Sequence, residues 1–249
     1  MVWSLAVIGV LWTVGAAVRS GGADQTSPID RPEPPPAASG SPRPSGLPAE
    51  PLGLRADEID EAARTLPRLH SLLVSRRGEL VFERYYHGIR RDRPANIKSA
   101  SKSVISALVG IALDRRLIPD VRTPLVTYFP ELARDPDPRK RAITVEHLLM
   151  MRPGLEGTSN RNYGAWVTSR NWVQHALARP MFAAPGEEME YSTGNTHLLS
   201  AILTKATGKS TWQLANEVLA KPLGFTLAPW PRDPQGVYFG VISMSLPPK

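Results

Sequence analysis

The sequence has no cysteine among its 249 residues. This absence excludes disulfide bonds, thiolate metal sites and a cysteine nucleophile. The five histidines show no His-x-His or His-Glu-x-x-His spacing, so we expect no metal site. No nucleic-acid recognition motif is present, and the net charge of +7 comes from basic residues that are mixed with acidic ones. We therefore expect no nucleic-acid partner.

Charged side chains are also absent from residues 1–18, and Arg19 follows this apolar run. We interpret residues 1–19 as a signal peptide or a short membrane anchor. As a helix the run would span about 27 Å, which is close to one hydrocarbon core, so its length does not decide between the two. In either case we expect an exported protein that is periplasmic, secreted or anchored to a membrane through this segment.

Residues 20–54 are rich in proline, with nine prolines between Pro28 and Pro51, and contain almost no large apolar side chains. Such a segment has nothing to bury in a core and is typical of an extended, polyproline-like tether. We predict a linker here, followed by one folded domain over residues 55–249.

The region 55–249 combines strand and helix patterns. Two β-rich runs, Leu72–Ser75 and Leu80–Tyr86, flank a turn and predict a hairpin. Periodicity predicts an apolar helix over residues 99–115 and amphipathic helices over residues 196–210 and 211–224. Because the chain shows no βαβ alternation, we do not expect a doubly wound parallel sheet.

A lysine near the start of the apolar helix is unusual and suggests chemistry. Ser99 and Lys102 are three residues apart, which places them on one helical face with their Cβ atoms about 5–6 Å apart. The following apolar stretch would desolvate the Lys102 ammonium and favour an uncharged amine that takes the serine proton. The alternative is that Lys102 reaches solvent and Ser99 is only a helix cap.

Tyr191 lies in a short polar loop after a Pro-Gly turn and before an apolar helix. A phenol at this position can enter a shared site and relay protons between a nucleophile and a leaving group. Taken alone, such a tyrosine is more often a half-buried residue whose hydroxyl has an ordinary partner.

Three segments occur in an order that resembles the serine β-lactamase and penicillin-binding-protein-like hydrolases: Ser99-Ala-Ser-Lys102, ITVEHLLMMRPGL and PGEEMEYSTGNTHLLSAILTKATGKS. The chain is most similar to the class C β-lactamase-like branch, which includes esterases and 6-aminohexanoate-dimer hydrolases. This resemblance implies an α+β fold of the β-lactamase/transpeptidase-like type, with helices around an antiparallel sheet, and a reaction without a cofactor. It also implies that Ser99 is the acylated nucleophile, Lys102 its base and Tyr191 the proton shuttle.

The sequence departs from the family pattern in two places. Thr193 stands where the second motif usually reads Tyr-x-Asn or Tyr-Ser-Ser, and a third motif of the Lys-Thr-Gly or His-x-Gly type is not found. We therefore expect a domain that is truncated at its C-terminus and lacks the later strands of the sheet.

The resemblance predicts a serine hydrolase that acts through an acyl-enzyme on an ester, amide or β-lactam carbonyl. Its substrate would be a small molecule or a peptidoglycan-like compound. One alternative is a truncated pseudoenzyme or a non-catalytic module that binds a cell-wall ligand. Another is a membrane-anchored helical interaction module in which Ser99 and Lys102 are incidental.

Overall fold

A β-hairpin and a group of helices around one central helix form the folded part of the chain. The computed structural model describes residues 56–91, 95–241 and 245–246. The predicted leader (1–19) and linker (20–54) lie outside the described residues. Within the described ranges, no helix is both long enough and apolar enough to cross a membrane.

The predicted hairpin is present. Strand β1 (Ser71–Arg76) pairs antiparallel with β2 (Glu79–Tyr85). The turn is shorter than the sequence indicated, because only Arg77 and Gly78 separate the strands, with φ values of 53° and 81°. Positive φ at both central residues is the backbone geometry that matches the twist of a two-residue hairpin.

Two very short strands form a second antiparallel pair, in which β3 (Ala95–Asn96) lies beside β4 (Ser245–Leu246). The helices of the described part are α1 (Ala56–Arg64), α2 (Lys102–Asp114), α3 (Val145–Leu149), α4 (Tyr163–Val167), α5 (Trp172–Leu177), α6 (Thr193–Thr207) and α7 (Thr211–Ala215), which continues as a π-helical turn over Asn216–Ala220. Short 3₁₀ turns connect several of them. The combination of helices with antiparallel strands is the predicted α+β class.

Helix α6 lies at the centre of the helical layer. The sequence predicts an amphipathic helix over residues 196–210, but α6 begins at Thr193 and all of its residues from 193 to 203 are buried, so the predicted exposed side is absent over residues 196–203. Its polar residues can be buried because their hydroxyls are satisfied internally: Ser200 Oγ donates to the Tyr238 carbonyl at 2.6 Å, and Thr196 Oγ1 donates to the Thr193 carbonyl at 2.9 Å. Helices α2, α3 and α5 pack directly against α6.

The apolar core fills the space between α6 and its neighbours. Its largest fully buried aliphatic and phenyl side chains are Ile105, Leu108, Ile118, Leu125, Phe129, Ile143, Leu148, Leu198, Leu199, Ile202 and Leu203. Two helix ends have typical caps: Thr144 Oγ1 accepts the His147 N–H as the N-cap of α3, and Gly208 ends α6 with a left-handed φ of 67°.

A buried polar pair joins α6 to the chain beyond α7. His197 Nε2 lies 3.0 Å from Asp233 Oδ2, and both side chains are fully buried. The other carboxylate oxygen of Asp233 accepts the backbone N–H groups of Gln235 and Val237 at 2.9 and 2.8 Å. Aromatic rings surround the imidazole, with centroids 5.5–6.2 Å from its own: Trp166, Trp172 and Phe239.

Candidate active site

Ser99 is held in a tight 3₁₀ turn, Lys98–Ser101, that leads directly into α2. The predicted helix over 99–115 is therefore divided, with an α-helix only from Lys102 to Asp114. Lys98 has a left-handed φ of 50°, and the buried Ser101 hydroxyl donates to its carbonyl at 2.7 Å. This turn leaves Ser99 exposed at the surface.

The side chain of Lys102 turns back toward Ser99. Residues three apart are eclipsed in a 3₁₀ turn, so the two side chains lie on the same side of the chain. Lys102 Nζ donates a hydrogen bond to Ser99 Oγ over 3.1 Å. Only 9% of Lys102 is exposed, so the lysine does not extend into solvent. The predicted contact between serine and lysine is present.

Tyr191 completes the cluster. Lys102 Nζ lies 5.1 Å from the centroid of its ring, and 42% of the tyrosine is exposed. Burial works to raise the pKa of the Tyr191 phenol, but hydrogen bonding with Ser99 and Lys102 and the Lys102 charge outweigh burial and lower this pKa below its ordinary value of 10.0. The structure thus brings together all three residues that the sequence singled out.

Thr193, the departure from the family motif, is buried and bonded within the protein. Its Oγ1 lies 3.0 Å from Ser159 Oγ, and its backbone N–H donates to the same serine oxygen at 2.9 Å. The Thr193 hydroxyl therefore faces the segment 157–159. Sequence reasoning missed this segment, and the signal available was weak: a glycine followed by two hydroxyl residues in Gly157-Thr158-Ser159.

Metal-ligating side chains do not gather at this site. Throughout the described ranges, no three His, Asp or Glu residues come together in a way that could hold an ion. What the arrangement offers is an exposed hydroxyl in contact with a buried amine and a phenol whose pKa is lowered. These are the groups of nucleophilic catalysis assisted by proton transfer.

Comparison with known proteins identifies the family. The sequence model of the Beta-lactamase family matches residues 67–239, which is more than half of the chain. The chain belongs to the serine β-lactamase and penicillin-binding-protein-like family, as its motifs indicated, and the fold is the β-lactamase/transpeptidase-like fold.

Among curated proteins, the similarity of this chain to an individual relative is modest. The chain is 29% identical over 138 residues to the D-alanyl-D-alanine-carboxypeptidase/endopeptidase AmpH of Escherichia coli K12, a match that covers 53% of this chain and 36% of that protein.

Solved structures agree in fold. A protein from Bacteroides dorei that is provisionally described as a β-lactamase superposes with a TM-score of 0.60 at 22% identity, over 75% of this chain and 57% of its own. The D-alanine carboxypeptidase AmpC of Burkholderia cenocepacia superposes with a TM-score of 0.53 at 19% identity, over 68% and 49% of the two chains. The chain thus spans about a third to somewhat over half of the length of these relatives.

Proposed function

We propose that this chain is a serine hydrolase in which Ser99 attacks a carbonyl carbon and carries the acyl group. The observation that carries the proposal is the 3.1 Å hydrogen bond from Lys102 Nζ to Ser99 Oγ, made by a lysine that is only 9% exposed. A serine hydroxyl is a weak nucleophile until a neighbouring base removes its proton. Lys102 and Tyr191 are the candidate bases within reach.

The proton balance of the reaction fits this pair. The Oγ–C bond forms as the hydroxyl proton passes to Lys102, and Tyr191 delivers a proton to the leaving group when the carbonyl is re-formed. Water then attacks the acyl-enzyme with the same groups acting in reverse.

The proposed substrates are esters, amides or β-lactams, including peptidoglycan-like peptides. The names of AmpH and of the Burkholderia AmpC describe D-alanine carboxypeptidases, which cleave amide bonds. A peptide ending in D-Ala-D-Ala is therefore the amide to test first, beside a chromogenic ester and a chromogenic cephalosporin.

The decisive experiment is covalent labelling of the full chain with a fluorescent penicillin and with a fluorophosphonate, followed by peptide mass mapping. We expect the label on Ser99, its loss in Ser99→Ala, and strong reduction in Lys102→Ala. Ser103→Ala is the matched control, because Ser103 is an exposed serine on α2, four residues after Ser99, and this variant should label like the parent. A folded parent chain that neither reagent labels contradicts the proposal, and non-covalent penicillin binding by that chain would support the binding-module alternative.

We also propose that the protein is exported. The uncharged run 1–18 and the proline-rich segment that follows support this proposal. Fusion of residues 1–54 to a reporter enzyme that is active only outside the cytoplasm tests it, with the fusion that begins at residue 20 as control. Equal reporter activity in both fusions would contradict export by this segment.

A further inference from the structure

Tyr191 occupies a segment that has no regular secondary structure of its own. Residues 188–192 form neither helix nor strand, and 42% of the tyrosine is exposed. A loop side chain with this much exposure would sample several positions unless its neighbours fix the backbone. The location of the phenol beside Lys102 therefore depends on what holds the residues on either side of it.

Those residues are bonded to Gly157, Thr158 and Ser159, about 34 positions earlier in the chain. The central connection involves Thr158. Its N–H donates to Ser192 Oγ at 3.1 Å, its Oγ1 lies 3.3 Å from the same oxygen, and that Oγ1 accepts the Gly194 N–H at 2.8 Å. Thr158 and Ser192 are 1% and 3% exposed, so water does not compete for these bonds.

Two further connections lie on either side of the central one. The Gly157 N–H donates to Glu190 Oε1 at 2.9 Å, and the Thr193 N–H donates to Ser159 Oγ at 2.9 Å. Consecutive residues 157–159 are thus bonded to residues 190–194, and we call this set of bonds the 157–159 ladder. Tyr191 lies between two of its bonded residues, Glu190 and Ser192.

The close approach of the two segments leaves little room for a side chain at the glycine on each side of the ladder. A Cβ at Gly157 would stand 2.7 Å from Glu190 Oε1, and a Cβ at Gly194 would stand 2.6 Å from Thr158 Oγ1. In addition, the Ser192 hydroxyl does not cap α6, the helix that it precedes. Ser192 is the kind of residue that usually caps a helix, yet here its oxygen is used in the ladder instead.

We infer that Thr158 and Ser192 are positioning residues that hold Tyr191 against Lys102. This inference rests on the proposed function, since it assigns how one of the proposed catalytic groups is kept in place. The two hydroxyls do not touch the reacting atoms. They fix the backbone on both sides of the phenol, and a displacement of about 1 Å at a catalytic group can cost about 10²-fold in rate.

The test uses Thr158→Val, which keeps the shape of the side chain and removes the hydroxyl, and Ser192→Ala. Thr207→Val is the matched control, because its hydroxyl bonds to the Leu203 carbonyl at the opposite end of α6. Thr158→Ser restores the hydroxyl. If Thr158→Val does not fold, Ser192→Ala still tests the inference. The Ser192→Ala change removes no cap of α6, so we expect this variant to fold.

The first measurement is the absorbance titration of the Tyr191 phenol, obtained as the difference between each protein and its Tyr191→Phe counterpart. We expect the titration midpoint of Tyr191 to rise toward that of free tyrosine in Thr158→Val and Ser192→Ala. We expect it to stay at the parent value in Thr207→Val and Thr158→Ser. An unchanged midpoint in Thr158→Val and Ser192→Ala would overturn the inference.

The second measurement is kcat/KM on a substrate that the parent hydrolyses. We expect a loss of about 10- to 100-fold in Thr158→Val, and almost no further loss when the same change is made in Tyr191→Phe. An equal loss in both backgrounds would show that the ladder acts on general stability and not on the tyrosine. If the parent is never labelled at Ser99 the proposed function fails, whereas the phenol titration still decides the inference.

Discussion

The stability of the domain should depend strongly on Asp233, although this residue lies outside the candidate site. Asp233→Ala removes the acceptor for three donors: His197 Nε2 and the N–H groups of Gln235 and Val237. The His197 and Asp233 side chains are fully buried. Breaking a buried pair by removing one partner costs about 3–5 kcal/mol, since the groups left behind are buried without a partner. At about 2–4 °C per kcal/mol, Tm should fall by about 10 °C.

Urea unfolding followed by tryptophan fluorescence measures this loss, because Trp166 and Trp172 lie beside the His197 ring. Asp120→Ala is the matched control: Asp120 also accepts a backbone N–H two residues later, at 2.7 Å, but its side chain is 55% exposed. We expect the control to unfold close to the parent midpoint. Equal midpoints for the Asp233 and Asp120 variants would refute the reasoning.

Three further predictions concern the site and its packing. Lys102→Met should lower turnover of the best ester substrate by about 10²–10⁴-fold, and Lys221→Met, at an exposed lysine, should not. Because the pKa of Tyr191 is lowered, its phenolate forms at lower pH than in free tyrosine. Any rise of kcat/KM with pH that depends on this phenol should therefore have its midpoint below pH 10.0 and should vanish in Tyr191→Phe. A rise that persists in Tyr191→Phe would contradict its assignment to Tyr191. Gly240→Ala should lower the free energy of unfolding by about 1–3 kcal/mol or more, because its Cβ would stand 2.3 Å from the α6 backbone. Gly110→Ala, with open space around its Cβ, should raise it by about 0.5–1 kcal/mol, and equal effects at the two glycines would refute the packing argument.

Local features of the site could be predicted from the sequence. The contact between Ser99 and Lys102 follows from a separation of three residues, which brings side chains together in either a 3₁₀ turn or an α-helix. The hairpin followed from its strand pattern and its glycine. The division of the helix at Lys102 could not be predicted, because it depends on the left-handed Lys98 and the Ser101 bond, and neither residue type indicates such a backbone.

Long-range pairing is where sequence reasoning was limited. The bonds between Thr158 and Ser192 join residues 34 apart and have no periodicity that a single sequence displays. The burial of α6 was missed for a related reason. In the sequence, the polar residues of α6 suggest a side that faces solvent. In the structure, Ser200 instead donates a hydrogen bond to the carbonyl of Tyr238, which lies in a distant segment. Hydroxyl residues in a helix are therefore poor indicators of its exposed face when other segments can accept their hydrogen bonds.

The packing of α2 against α6 explains why the candidate site lies where it does. Lys102 is the first residue of α2, and Tyr191 precedes the first residue of α6 by two positions. Since Lys102 Nζ lies 5.1 Å from the Tyr191 ring, the N-terminal ends of the two helices come close together at the candidate site. Each positive helix end stabilises nearby negative charge by about 0.3–1 kcal/mol. The packing of α2 against α6 that buries the core therefore also brings Tyr191 close to two positive helix ends.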